Sequence, residues 1–301
     1  SKTDITGETE IPGEPTIMCA HMDTVTPGNG IKPLIDDGII HTDGSTILSG
    51  DDKSGIAAIM EAVKVIKEQN LPCRNTEILF TIGEEGGMNG VKNMDLSMIK
   101  GKEAMVFDAS GDVGKILTCG PGQIKIFATI IGRSSHAGLA PEEGISAIQV
   151  AAKGIAKMNL LRIDEETTCN IGTLKAEYAT NIVPEKAEIV AEVRSRNLDK
   201  LNAQAAHMQK CLQDACDEMG AKLEIELKTN YVSFNVANDD PMVQRVFESC
   251  KRIGCEPMTA KGGGGSDANV MALHGIKPIV LSTGMTKVHT TGETLKIENL
   301  N

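Results

Sequence analysis

Apolar residues along the chain fall into two regimes. In the first third they form short continuous runs at residues 16–20, 77–82 and 104–107. Between the first two lies an amphipathic stretch, 55–68, with Ile56, Ile59, Met60, Val63 and Ile66 at helical spacing. Continuous apolar strands alternating with such helices predict an α/β domain with a mostly parallel sheet covered on both faces. Ligands of such sheets bind beyond the carboxyl ends of the strands.

Past residues 119–122 (CGPG) the period changes. Ile124, Ile126, Ala128 and Ile130 alternate within 123–131, and Ile145, Ile148, Ala152 and Ile155 mark a helix over 143–158. Strand-like runs follow at 168–178 and 186–193, the second with Ala187, Ile189, Ala191 and Val193 alternating. A helix over 200–219 carries Leu201, Ala205, Met208, Leu212, Ala215 and Met219, with Gly220 as its C-cap. Leu223, Ile225 and Leu227 alternate in a last strand at 222–229. The order βαββαβ is that of a ferredoxin-like α+β unit. After residue 231 the α/β pattern returns, with a helix opened by Pro241, a short helix over 267–274 and a buried strand at 278–282. The reading is therefore one α/β domain in two pieces, 1–119 and 231–301, with a second domain, 120–230, inserted. The exposed sheet edge or the helices of the insert offer a surface for a homodimer.

A length of 301 residues accommodates two domains. With 2% aromatic residues and no Trp, the cores must be built from Ile, Val, Leu, Ala and the 14 Met. A net charge of −11 argues against a nucleic-acid partner, which needs a basic face. No run approaches the roughly 18 apolar residues of a membrane span. No signal-peptide pattern is visible, and the chain opens without Met, as if inside a longer protein. The eight cysteines form no C-x-x-C pair. Scattered through apolar segments, they read as reduced and mostly buried, which points to the cytoplasm.

Chemistry gathers where strands should end. His21 and Asp23 form an H-x-D pair that an extended backbone points the same way, so the carboxylate can orient the imidazole. Asp51 and Asp52 precede the first helix; adjacent carboxylates there serve either as a solvated cap or as a bridge between two metals. Glu84 and Glu85 follow the run at 77–82 and repel each other unless a cation is near; a metal reading makes one a ligand and the other a base. Asp108 ends the run at 104–107, and His289 in KVHTTGE adds a second imidazole. His41, His207 and His274 sit in polar, helical or helix-end settings and read as structural. Two imidazoles with carboxylates and no Cys suit two divalent ions, zinc first, with cobalt or manganese as alternatives.

Taken in order, these residues resemble the di-zinc metallopeptidase family that includes peptidase T (tripeptide aminopeptidase) and glutamate carboxypeptidase. The peptidase T branch is the nearer, on HTDGSTILSGDDKSGIAAIMEA at residues 41–62. The resemblance covers nearly the whole chain. It implies that the α/β domain is a zinc-exopeptidase catalytic domain and the insert a lid or dimerisation domain. It implies that His21 and Asp108 hold one metal, Glu85 and His289 the other, and Asp51 both, with Asp23 orienting His21 and Glu84 as general base. It further implies a cis peptide between Asp51 and Asp52. In SSHAG, His136 would donate to the oxyanion, reaching either its own site or a partner subunit's. Asn181 and Arg194 would bind substrate, as would Gly264 and Gly265 in a glycine run one residue longer than the family's usual three. The implied activity is hydrolysis of short peptides by a tripeptide aminopeptidase. A carboxypeptidase, dipeptidase or N-acyl amino acid deacylase is the alternative, since the metal centre is common to all of them.

Overall fold

A computed structural model describes residues 4–5 and 10–300. The chain divides into two compact units, Ser1–Gly120 with Phe234–Asn301, and Pro121–Ser233.

The first unit is built on an eight-stranded mixed sheet. At its centre strand Glu10–His21 lies between Cys73–Thr81 and Glu103–Ala109, parallel to both, and Lys277–Ser282 continues the parallel order. Lys115–Gly120 then runs antiparallel to Lys277–Ser282. The link from Ala109 to Lys115 is too short for a parallel crossover, which needs a dozen or more residues. That strand was not legible as one, and it makes the sheet mixed rather than uniformly parallel.

Helix Gly50–Glu68 covers the sheet with Ile56, Ile59, Val63 and Ile66, packed with Ala20, Cys73 and Ile78. Met60, expected on this stripe, lies at its edge and is exposed. The helix begins irregularly, with Ser49 left-handed at φ 62° and Asp51 and Asp52 outside helical geometry. The Asp51–Asp52 peptide is cis. Gly55 is required four residues later, because a Cβ there would lie 2.4 Å from the Phe107 carbonyl oxygen. A four-stranded sheet of two- and three-residue strands joins Leu34–Asp36 and Ile39–His41 to Met285–Thr286 and Thr294–Lys296. Its strands are too short to leave a periodic signal.

In the second unit, strands Lys222–Tyr231, Gly122–Ile131, Lys186–Ser195 and Thr167–Lys175 lie side by side in that order, all antiparallel, with Leu161–Arg162 at the edge. Ile124, Ile126, Ala128 and Ile130 face inward with Ala187, Ile189, Ala191 and Val193. Helix Leu198–Met219 adds Leu201, Ala205, Met208, Leu212 and Ala215, and Gly220 caps it at φ 72°. The other helix, Ala147–Ala156, is rotated from the expected phase. It buries Ala147, Val150, Ala151 and Gly154, while Ile148 and Ala152 are exposed. Close helix packing is the reason: a Cβ on Gly154 would come within 2.9 Å of Leu212. Small residues therefore take the interface that large apolar ones were expected to fill.

Substituting Gly55 tests the first unit's packing. Alanine gains about 1 kcal/mol of helix propensity. Overpacking against backbone that cannot move aside costs about 1–3 kcal/mol. Gly55→Ala should therefore lower the urea midpoint, whereas Gly263→Ala, with nothing within 4 Å of its added carbon, should leave it unchanged.

Candidate metal centre

Strand register brings the predicted residues to one edge. Cys19 pairs with Val106, so His21 and Asp108, each two residues further on, lie level. His21 pairs with Thr81, and the chain beyond Thr81 turns through Gly83 at φ 67° into Glu84 and Glu85. The irregular start of helix Gly50–Glu68 lays Asp51 across these ends.

Asp51 is the meeting point. Its Oδ1 lies 3.0 Å from His21 Nε2, and its Oδ2 lies 3.2 Å from His289 Nε2. Asp108 Oδ1 stands 3.7 Å from His21 Nε2, and Glu85 Oε1 stands 2.9 Å from His289 Nε2. Ligand atoms of His21, Asp51 and Glu85 lie within 4.8 Å of one another, as do those of His21, Asp52 and Asp108. Glu84 lines a cavity of about 330 Å³ together with Asp51, Asp108 and His289. Gly264 and Gly265 form part of the same wall.

The donor set fits divalent cations. His21 Nδ1 is 3.0 Å from the Asp23 carbonyl oxygen, which makes Nδ1 the protonated nitrogen of a neutral ring. Its Nε2 lone pair then faces carboxylate oxygens, an arrangement a cation resolves. Glu85 Oε1 is buried with no hydrogen bond, although it lies 2.9 Å from His289 Nε2. Among the described residues, no lysine or arginine forms a salt bridge with Asp51, Asp52, Glu84, Glu85 or Asp108.

Without ions, protons must take that place. Burial, reinforced by Asp108 and Asp267, pushes the Glu84 carboxyl up to about 9. Burial also pushes Asp108 up to about 7. Burial and then Asp51 raise Glu85. Burial opposes a charge on His21, but the adjacent Asp108 and Asp51 carboxylates prevail and push it up to about 12.

Some supports go beyond expectation. The hydrogen bond from Asp23 to His21 Nδ1 is through the main-chain oxygen at 3.0 Å, with Asp23 Oδ1 3.6 Å from the same nitrogen, while the carboxylate accepts the amides of Glu84 and Glu85 at 3.1 and 3.2 Å. Asp52, fully buried, accepts the amides of His21 and Gly55. Glu293 accepts three amides in the segment carrying Asp51. Asp267 is buried beneath the site and bonded to Thr81. Neither Glu293 nor Asp267 was singled out from sequence, although both lie within segments that were: KVHTTGE and GGGGSDAN.

The remaining candidates belong to the second unit. His136 is exposed, and its Nδ1 accepts the amides of Gly138 and Leu139. The neutral ring therefore carries its proton on Nε2. Asn181 is exposed, and its carbonyl accepts the Ala137 amide. Arg194 is engaged by Glu192 through Nε and Nη2 at 2.8 and 3.2 Å.

Residues 17–301 match the model of peptidase family M20/M25/M40. The chain belongs to this family. As an M20 peptidase it is a hydrolase, and the expected kinship with peptidase T holds. It is similar to aminopeptidase PepT of Bacillus cereus ATCC 10987, with 44% identity and a TM-score of 0.92 over 99% of this chain and 80% of that one. A tripeptidase of Staphylococcus aureus subsp. aureus mu50 gives 37% identity and a TM-score of 0.94, over 100% and 80% of the two chains. Peptidase T of Pasteurella multocida (strain Pm70) is 27% identical over 90% of this M20 chain and 66% of its own length.

The charge balance gives a pH test. In the metal-free protein Glu84 and Asp108 are raised from 4.5 and 3.8 to about 9 and about 7, so the folded state holds more protons than the unfolded chain within those intervals. Stability should therefore fall as pH rises through that window. His21, raised from 6.5 to about 12, acts in the same direction. Urea unfolding from about pH 5 to about pH 9 should show this decline with a chelator present, and a much flatter profile with excess divalent metal.

Proposed function

We propose that this M20 peptidase is a zinc-dependent exopeptidase that removes the N-terminal residue of short peptides, tripeptides first. The observation that carries the reading is Asp51, whose two oxygens each face a different imidazole while Glu84 lines the same cavity. Similarity to an aminopeptidase and a tripeptidase at 44% and 37% identity supports the substrate class.

In this reading His21 and Asp108 hold one ion, Glu85 and His289 the other, and Asp51 is shared by both; cobalt or manganese would suit the same donors. When bound, the pair supplies Lewis-acid polarisation of the scissile carbonyl and acidifies the attacking water toward a pKa of about 7. Asp23 keeps the proton of His21 on Nδ1, leaving Nε2 as the donor atom. Glu84 takes a proton from the water and delivers it to the departing amine, a role suited to a half-buried carboxylate lining the same cavity as Asp51 and His289. His136, in its own site or in that of a partner subunit, would donate a hydrogen bond through Nε2 to the carbonyl oxygen as negative charge develops there. Gly264 and Gly265 lack side chains, so the backbone can approach the peptide. Asn181 and Arg194 would bind its polar groups.

The second unit, with its ferredoxin-like order, serves as lid and dimerisation domain in this proposal. A cytoplasmic setting is supported by eight free cysteines, all buried except the half-exposed Cys255. Among the described residues no helix is long and apolar enough to cross a membrane.

Two experiments test the function. Glu84→Gln should lower kcat by about 10²–10⁴ with bound metal unchanged. Turnover at the wild-type rate in that variant would remove Glu84 from its role. A free tripeptide should be cleaved and its N-acetylated form resist. Cleavage that survives acetylation but stops on C-terminal amidation would instead indicate a carboxypeptidase.

A further inference from the structure

Glu293 is 1% exposed, and among the described residues no lysine or arginine forms a salt bridge with it. A buried carboxylate persists only where donors replace its water. Here the donors are three main-chain amides. Oε2 accepts from Leu48 and Ser49 at 3.0 and 2.8 Å, and Oε1 accepts from Asp51 at 2.9 Å. All three belong to the irregular entry to helix Gly50–Glu68. Ser49 there is left-handed, and Asp51 at φ −82°, ψ 101° is not helical. Gly50 has no side chain to obstruct the clamp; a Cβ on it would lie 3.1 Å from Glu293 Oε1.

Glu293 also ends the turn that presents His289. Its own amide donates to the Thr290 carbonyl at 3.1 Å, and His289 sits at φ 62°. Leu48, Met285 and Leu295 pack together beside it, with Val288 against them. One carboxylate therefore joins the segment bearing Asp51 to the segment bearing His289. Those residues meet at 3.2 Å, Oδ2 to Nε2.

We propose that Glu293 is a positioning residue. It fixes the main chain of Asp51 relative to His289, so that both face the same ion. The role is one of acceptor geometry: both oxygens receive amides, and Glu293 is not among the residues lining the cavity. The inference rests on the metal-centre reading above and deepens it.

E293Q is the direct test, because it retains size and replaces one accepting oxygen with an NH₂ that opposes an amide donor. Zinc titrated calorimetrically into the metal-free protein should bind wild type at two sites per chain. In E293Q the dissociation constant of one site should rise at least about tenfold, as loss of an outer support does elsewhere. On a tripeptide at saturating zinc, kcat should fall at least about tenfold with KM within about threefold. E293D keeps both oxygens on a shorter arm and should show the same changes in smaller degree; it carries the test if E293Q does not fold. A lowered Tm with unchanged zinc affinity and unchanged kcat would make Glu293 merely structural and overturn the inference. Unchanged zinc binding with two ions in both proteins would overturn it while leaving the metal centre intact. A wild-type protein that binds no zinc would overturn both.

Discussion

Confinement of negative charge at the carboxyl ends of three neighbouring strands is the constraint on which this molecule turns. Two carboxylates about 4 Å apart repel by about 4 kcal/mol at an effective dielectric of about 20, and burial adds several kcal/mol for each. Asp51, Glu84, Glu85 and Asp108 share that space with the imidazoles of His21 and His289, and among the described residues no lysine or arginine forms a salt bridge with them. Protons relieve the site when it is empty, which is why Glu84, Glu85 and Asp108 are all pushed upward. Divalent ions relieve it in a form that can also activate water. Binding energy for the ions is thus set by how firmly the fold prevents the carboxylates from moving apart.

That firmness comes from carboxylates that hold the main chain rather than a ligand. Asp52 ties the end of strand Glu10–His21 to the first helical turn. Asp23 ties the same strand to the loop bearing Glu84 and Glu85. Glu293 ties the segment bearing Asp51 to the turn bearing His289. Each pairs carboxyl oxygens with amides near the ends of regular elements, so each is stabilising as well as orienting. Helix packing through Gly55 sets the remaining coordinate, the height of Asp52 above strand Glu103–Ala109.

Sequence made the central strands and the long helices legible because burial on one face leaves a period. Leu201, Ala205, Met208, Leu212 and Ala215 all lie where that period put them. The phase of Ala147–Ala156 was misread because its interface uses Ala and Gly, which carry little hydrophobic signal, while Ile148 points outward. The small four-stranded sheet and strand Lys115–Gly120 depend on pairing between distant segments, and short strands hide that. Residues that face the cavity were legible as repeated carboxylates after apolar runs. Glu293 and the backbone roles of Asp23 and Asp52 were not, since an acceptor of main-chain amides is defined by what the backbone does around it.

The most direct measurement is a crystal of the zinc-loaded protein with anomalous differences recorded at the zinc edge. The account predicts two strong peaks per chain, one bounded by His21, Asp51 and Asp108 and the other by Asp51, Glu85 and His289. A fully loaded crystal with no peak at Asp51, or with a single peak that leaves His289 or Asp108 without an ion, would contradict it.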